Sequence, residues 1–248
     1  MTRITALAYT LTFGLAAPGA ALDLNTMSDE ERALFRAEVR AYLMDNPEVL
    51  LEAIDVLETR QAEQQAADDL ALVATHRDAL FDDGYSFIGG NPDGDITIVE
   101  FLDYRCGFCK RAHPEVAELV RTDGNIRYVI KELPILGEES VLASRFAIAV
   151  KEVEGDAAYY DIHNALMEMR GAVTEQALSD MSEAMGFNTP DVFSMMNTDT
   201  VREVIEKNRE LAGMLGIQGT PSFIFESQMR RGYLPLDAMR DVIAEERS

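Results

Sequence analysis

One short motif constrains this fold more than anything else in the chain. Cys106-Gly-Phe-Cys109 follows an apolar run, Ile96-Thr-Ile-Val-Glu-Phe-Leu102, that reads as a buried strand. It precedes Lys110 to Arg121, which reads as a helix despite Pro114, and Asn125 to Lys131 reads as a second strand. The two cysteines therefore stand at the end of a strand and the start of a helix, inside a β-α-β unit. There the first sulfur meets the unpaired N–H groups of the helix's first turn, which favour thiolate over thiol together with the helix dipole. Cys109, one turn further, lies on the same face and can attack a mixed disulfide formed at Cys106. The spacing supplies a nucleophile and a resolving thiol.

The cysteine count sharpens this reading, because the 248 residues contain only these two. A disulfide-stapled scaffold needs several pairs, and a bridge from Cys106 to Cys109 closes too small a loop to stabilise a fold by much. Two alternatives stay open on the residues alone. Cys106, Cys109 and His113 could supply three zinc ligands, although no second Cys-x-x-Cys exists and His76 and His163 lie in distant segments. The motif could also be inert within a buried helix. His113 is expected on the surface of the motif's helix with no catalytic role, and neither a metal nor a cofactor is expected.

A second element lies far along the chain. Gly219-Thr220-Pro221 precedes an apolar strand, Ser222 to Phe225. Proline cannot sit in a central strand, but one just before it suits a cis turn. A cis proline packed against the sulfurs offers no N–H there, while the flanking backbone can pair with an extended peptide. A trans proline in an ordinary loop is the alternative.

The rest of the chain is organised around these elements. Met1-Thr-Arg, an apolar run from Ile4 to Ala17, and Pro18-Gly-Ala-Ala21 read as a secretory signal over 1–21, cleaved near Ala20 or Ala21. A buried N-terminal helix is the alternative, and the compartment expected is the bacterial periplasm. Ser28-Asp-Glu-Glu31 is a capping box opening a helical region that Pro47 splits into about 29–45 and 47–80. Leu50, Ile54, Leu57, Gln61 and Gln64 follow an a/d pattern in which only the first three are apolar. Residues 22–88 are therefore read as an oligomerisation arm, against the alternative of a solvated helix lying on the main domain. Gly89 to Gly94 reads as a breaker cluster, and 89–248 as the main domain with a helical insertion at about 137–216. Within it, Thr174 reads as a helix cap, and Thr189-Pro190-Asp191 as cap, first and second helical positions. Strand signals return near Met229-Arg230, and a last helix runs from about Leu236 to Glu245. With 22 Lys+Arg against 44 Asp+Glu the net charge is −22, a poor match to nucleic acid or anionic lipid.

Three segments carry a family resemblance: Glu100-Phe-Leu-Asp-Tyr-Arg-Cys-Gly-Phe-Cys109, Lys131-Glu-Leu-Pro134 and Gly219-Thr-Pro-Ser-Phe223. Over 96–248 the chain resembles the DsbA-like thioredoxin-fold proteins of bacterial periplasms, and the arm with Asn46-Pro-Glu-Val-Leu50 resembles the ScsC-like subgroup. The resemblance implies an α/β, thioredoxin-like fold with a helical insertion and an N-terminal helical extension. It also implies thiol–disulfide exchange on unfolded or misoxidised secreted proteins, a membrane redox partner, and assembly of copies through the arm. The family places a buried acid and a lysine near the resolving cysteine, and Glu100 and Lys131 occupy the matching places. A buried carboxylate beside a sulfur has a raised pKa and can take the proton Cys109 must lose; a structural ion pair is the alternative for these two. Gly107, Phe108, Thr220 and Pro221 are the expected substrate contacts. Gly107-Phe108 replaces the Pro-His of the strong oxidant of the family, so an imidazole is missing beside the thiolate, and Thr precedes the proline as in the isomerases. Both departures favour isomerase or reductase over dithiol oxidase. A chaperone-like binding module with an idle or metal-binding motif is the reading from another class.

Overall fold

The computed structural model describes residues 26–248, so the secretory segment expected over 1–21 lies outside the described residues. The chain divides into two compact units, one ending at Thr59 and the other running from Arg60 to Ser248. The arm expected over 22–88 therefore contributes to both.

In the first unit α1 spans Asp29–Asp45. Ser28 and Glu31 form the reciprocal capping box: Glu31 N–H donates to Ser28 Oγ (3.3 Å) and Ser28 N–H to Glu31 Oε2 (2.9 Å). Helix α1 stops at Asn46, whose backbone and side-chain N–H groups both donate to Tyr42 O ahead of Pro47. No residue of α1 is buried. Helix α2 spans Glu48–Thr75 and α3 spans Arg77–Phe81. The single helix expected over 47–80 is thus interrupted at His76, after which Leu80 and Phe81 turn into the core of the second unit.

The second unit is built on a five-stranded sheet. Strand β1 spans Phe87–Gly90, β2 Ile96–Leu102, and α4 Gly107–Asp123 leads to β3, Ile126–Glu132. Five helices follow: α5 Glu138–Glu154, α6 Asp156–Glu168, α7 Glu175–Met185, α8 Thr189–Met195 and α9 Asp199–Met214. Strands β4, Ser222–Phe225, and β5, Gln228–Arg231, precede α10, Leu236–Glu246. The sheet order is β1-β3-β2-β4-β5, with β2 and β3 parallel and the other neighbours antiparallel. This is the α/β, thioredoxin-like arrangement, with a run of helices between β3 and β4 and further helices at the N-terminus.

Alternation along the central strands places side chains on two buried faces. Ile96, Ile98 and Leu102 of β2 join Ile126, Tyr128 and Ile130 of β3 in the larger core beneath α4 to α6. Val99, Phe101 and Val129 face a smaller core with Leu80, Phe81, Leu211 and Leu215.

Two local readings need correction. The glycines read as a breaker contain the second half of β1, which pairs Gly89 with Tyr128 and Gly90 with Arg127. Glycine is required there: Gly90 has φ +67°, and a Cβ would come within 2.3 Å of Ile126 O. The cap of α8 is Asn188 rather than Thr189, whose hydroxyl instead meets Ser182 Oγ at 2.9 Å.

Candidate active site

The site begins where β2 leaves the sheet. Asp103 is fully buried, and its carboxylate organises the turn: Oδ1 accepts from Arg105 N–H (2.7 Å), Oδ2 from Ile135 N–H (2.8 Å) and Leu136 N–H (3.0 Å). Its carbonyl accepts from Cys106 N–H at 3.0 Å. Cys106 is thereby held as the N-cap of α4, in extended backbone (φ −76°, ψ 116°). Gly107 and Phe108 form the helix's opening turn, and Cys109 lies fully buried beneath them.

Both cysteines are free thiols. Cys106 Sγ–H donates to Thr220 O at 3.1 Å, and the Thr220–Pro221 peptide bond is cis, with Pro221 buried. Thus two segments more than a hundred residues apart in sequence meet at one sulfur. The Cys109 thiol, hydrogen bonded to Cys106, favours the Cys106 thiolate most strongly. The Thr220 side chain and the backbone of Phe108 and Cys109 add to it against the opposing effect of burial, and the Cys106 pKa falls to about 5. Cys109 goes the other way: burial, its bond to Cys106 and the nearby Glu100 charge push its pKa far above the ordinary thiol range. One thiol is ready to attack and the other is held protonated.

Glu100, buried on the β2 face that carries the motif, accepts a hydrogen bond from Tyr128 OH. Burial raises its pKa to about 7; the Tyr128 bond works against this, and the Cys106 charge reinforces it. The structure does not bring Lys131 to this group. Lys131 stands opposite Phe101 in the β3 register, on the other face of the sheet, where its ammonium pairs with Asp83 and donates to Ala79 O at 2.7 Å. The expected place near the resolving cysteine is one residue out of phase, and in a strand one residue reverses the face.

Around the mouth, Phe108 is 60% exposed and its ring lies 6.3 Å from Tyr233, with the Arg111 guanidinium 4.4 Å from the Tyr233 ring centroid. Thr220 and the Phe108 backbone meet the Cys106 sulfur, with Gly107 beside it in the opening turn and buried Pro221 joined to Thr220, while Tyr233 and Arg111 carried no signal in the sequence. Asp103 did carry one, as an Asp three residues before a helix N-cap. His113 is half-buried, not on the surface: its ring packs edge-on to His163 at 5.0 Å. Among the described residues no three His, Cys, Asp or Glu side chains gather as metal ligands.

Comparison with known proteins gives the same architecture. A thioredoxin-like oxidoreductase from Silicibacter pomeroyi DSS-3 superposes with TM-score 0.65 at 38% identity, covering 69% of this chain and 97% of that one. ScsC of Proteus mirabilis, in a transitional conformation, superposes with TM-score 0.64 at 29% identity, covering 90% of this chain and 98% of that one. Disulfide bond formation protein D of Bacillus subtilis (strain 168) is 25% identical over 169 residues, 63% of this chain and 75% of that protein. Sodium/proton antiporters also match, but the chain spans about a quarter of their length, 23% of NhaA 1 of Salinispora arenicola (strain CNS-205). Residues 31–64 match the copper resistance protein ScsC N-terminal domain. The DSBA-like thioredoxin domain matches residues 97–244. Because that span takes in both thiols, Glu100 and the Thr220–Pro221 bond, the chain belongs to the DSBA-like thioredoxin-domain family of thiol–disulfide oxidoreductases.

Proposed function

We propose that the protein is a periplasmic thiol–disulfide exchange enzyme acting on secreted proteins, as an isomerase or reductase. The opposed proton affinities of Cys106 and Cys109 carry the exchange chemistry. The Cys106 thiolate attacks one sulfur of a substrate disulfide; that S–S bond breaks, the other sulfur leaves as thiolate, and a mixed disulfide remains on Cys106. If a substrate thiolate then attacks the substrate's own sulfur, Cys106 leaves as thiolate and the substrate is isomerised with no net oxidation. If Cys109 attacks Cys106 instead, it first gives its proton to Glu100 in its carboxylate form, the substrate leaves as a dithiol, and Cys106–Cys109 becomes the disulfide. A membrane redox partner then restores the dithiol. The backbone at Thr220, with Pro221, Gly107 and exposed Phe108, receives the extended substrate chain.

The absence of an imidazole in Gly107-Phe108, and Thr220 before the proline, favour isomerase or reductase. A dithiol oxidase is the second reading, favoured by a Cys106 pKa of about 5, which falls between the roughly 7 of thioredoxin and the roughly 3.5 of the strongest oxidants. Equilibration with glutathione separates them. The expected potential is about −180 mV or lower, and a value near −120 mV would transfer the protein to the oxidases. Cys106→Ser is expected to abolish refolding of a scrambled-disulfide substrate; refolding that survived it would leave a binding module instead.

The arm supports assembly. In the first unit Leu34 (72%), Leu51 (68%), Leu50 and Leu57 are exposed on helices without apolar cover. These side chains pack against the same segment of other copies, so that several dithiols share one particle.

A further inference from the structure

Another buried carboxyl, which the exchange chemistry does not use, stands at the end of β3. Glu132 Oε1 accepts from Tyr104 OH (2.6 Å) and Tyr159 OH (2.7 Å), and Oε2 accepts from Ser144 Oγ (2.7 Å). The three donors come from the Cys106 turn, from α6 and from α5. The backbone of the same residue is also fixed, with Glu132 O accepting from Asn208 Nδ2 at 3.1 Å and Leu133 N–H donating to Leu102 O at 2.8 Å. Tyr104, 1% exposed, lies two residues before Cys106. Its proton goes to Glu132, so its oxygen is left to accept from His163 Nδ1 (3.2 Å), which assigns the ring proton to that nitrogen.

Burying a carboxyl costs more than filling the same space with apolar side chains, unless each lone pair it presents is used. Here three hydroxyls occupy three of its roughly four lone-pair sites, and one belongs to the segment that delivers the nucleophile. The Cys106 thiolate depends on the Cys109 thiol, on the Thr220 side chain and on N–H groups of the first turn, and such bonds weaken steeply with displacement.

We propose that Glu132 is a positioning residue for Cys106: through the Tyr104 hydroxyl it fixes the turn that sets the sulfur against its donors. This rests on the reading of Cys106 as the exchange nucleophile. The neighbours that titrate or carry charge around the hub are Asp103, Tyr104, Tyr159 and His163, with His113 behind His163.

Two substitutions separate positioning from a plain structural role. Tyr104→Phe and Tyr159→Phe each remove one hydroxyl from the same oxygen of Glu132, both in buried surroundings, but only the first is on the Cys106 turn. Thiolate absorbance of the reduced full chain is titrated from pH 3 to 9, with urea unfolding measured in parallel. Tyr104→Phe is expected to raise the proton affinity of Cys106 roughly three- to tenfold, that is by up to about one pKa unit. Tyr159→Phe is expected to leave it within about twofold, despite a comparable loss of stability. Glu132→Leu, where it folds, shifts the titration further in the same direction. Glu132→Gln, which keeps an acceptor for both tyrosines, does not. Wild-type titration in Tyr104→Phe, or equal shifts in the two tyrosine variants, overturns the proposal while leaving the exchange reading intact. A wild-type Cys106 titrating near the ordinary thiol value of about 8.5 overturns both.

Discussion

At the scale of single residues, the site depends on three groups displaced from their ordinary proton affinities: Cys106 down, Cys109 up and Glu100 up. Glu100 links the chemistry to stability. Its carboxyl titrates at about 7 in the folded protein, where burial dominates, against about 4.5 in an open chain. The folded state therefore holds the proton more tightly, and this contribution is complete below pH 4.5 and lost as the pH rises through 7. Glu100→Gln has no proton to lose. Reduced Glu100→Gln is expected to gain on reduced wild type by up to about 3 kcal/mol between pH 4.5 and pH 8, read from urea unfolding at the two ends. A constant difference across that window would show that Glu100 is not held protonated by its surroundings. Cys106 and Cys109 were legible in the sequence because their spacing and their place between strand and helix are local properties. Glu132 was not, because its role is made by hydroxyls from Tyr104, Ser144 and Tyr159, which only the packed fold brings together.

At the scale of elements, the second half of α2 is tied to the sheet through a bidentate ion pair. Arg231 Nη1 and Nη2 donate to the two Asp69 oxygens at 2.7 and 2.8 Å, and Nη2 also reaches Leu215 O at 3.0 Å. Asp69 is buried, so Asp69→Ala leaves a guanidinium facing a partly dry pocket. The expected loss is about 1.5–3 kcal/mol, measured as a lower urea midpoint, with Cys106 reactivity unchanged. A loss of activity at unchanged stability would mean that α2 influences the site in another way. Strands β2, β3 and β4 were readable as apolar runs because both of their faces are buried. Strand β1 was not, since two of its four residues are glycines. Lys131 illustrates a related point: family position indicates its strand but not its face, and the Glu100–Ile130 pairing sets the phase that puts Lys131 opposite Phe101.

At the scale of the whole molecule, the acidic balance of −22 described the surface without indicating the chemistry. The exposed leucines of the first unit make a sharper statement. Leu50 and Leu57, seven residues apart on α2, are each about half exposed. Replacing both with Glu in the full chain is expected to convert an oligomer into a monomer in sedimentation, while small-disulfide reduction by Cys106 continues at the wild-type rate. A wild-type chain that sediments as a monomer would remove the assembly proposal. The sheet itself ends on both sides in four-residue strands, β1 with its two glycines and β5, Gln228-Met-Arg-Arg231, with adjacent arginines. Under the exchange on secreted proteins proposed above, unfolded clients would bring loose strands seeking a template. Edges this short, one half glycine and the other charged, would give such strands little purchase. On the proposed exchange reading, a client would be held at the sulfur and released from it, instead of being recruited into the edges of the sheet.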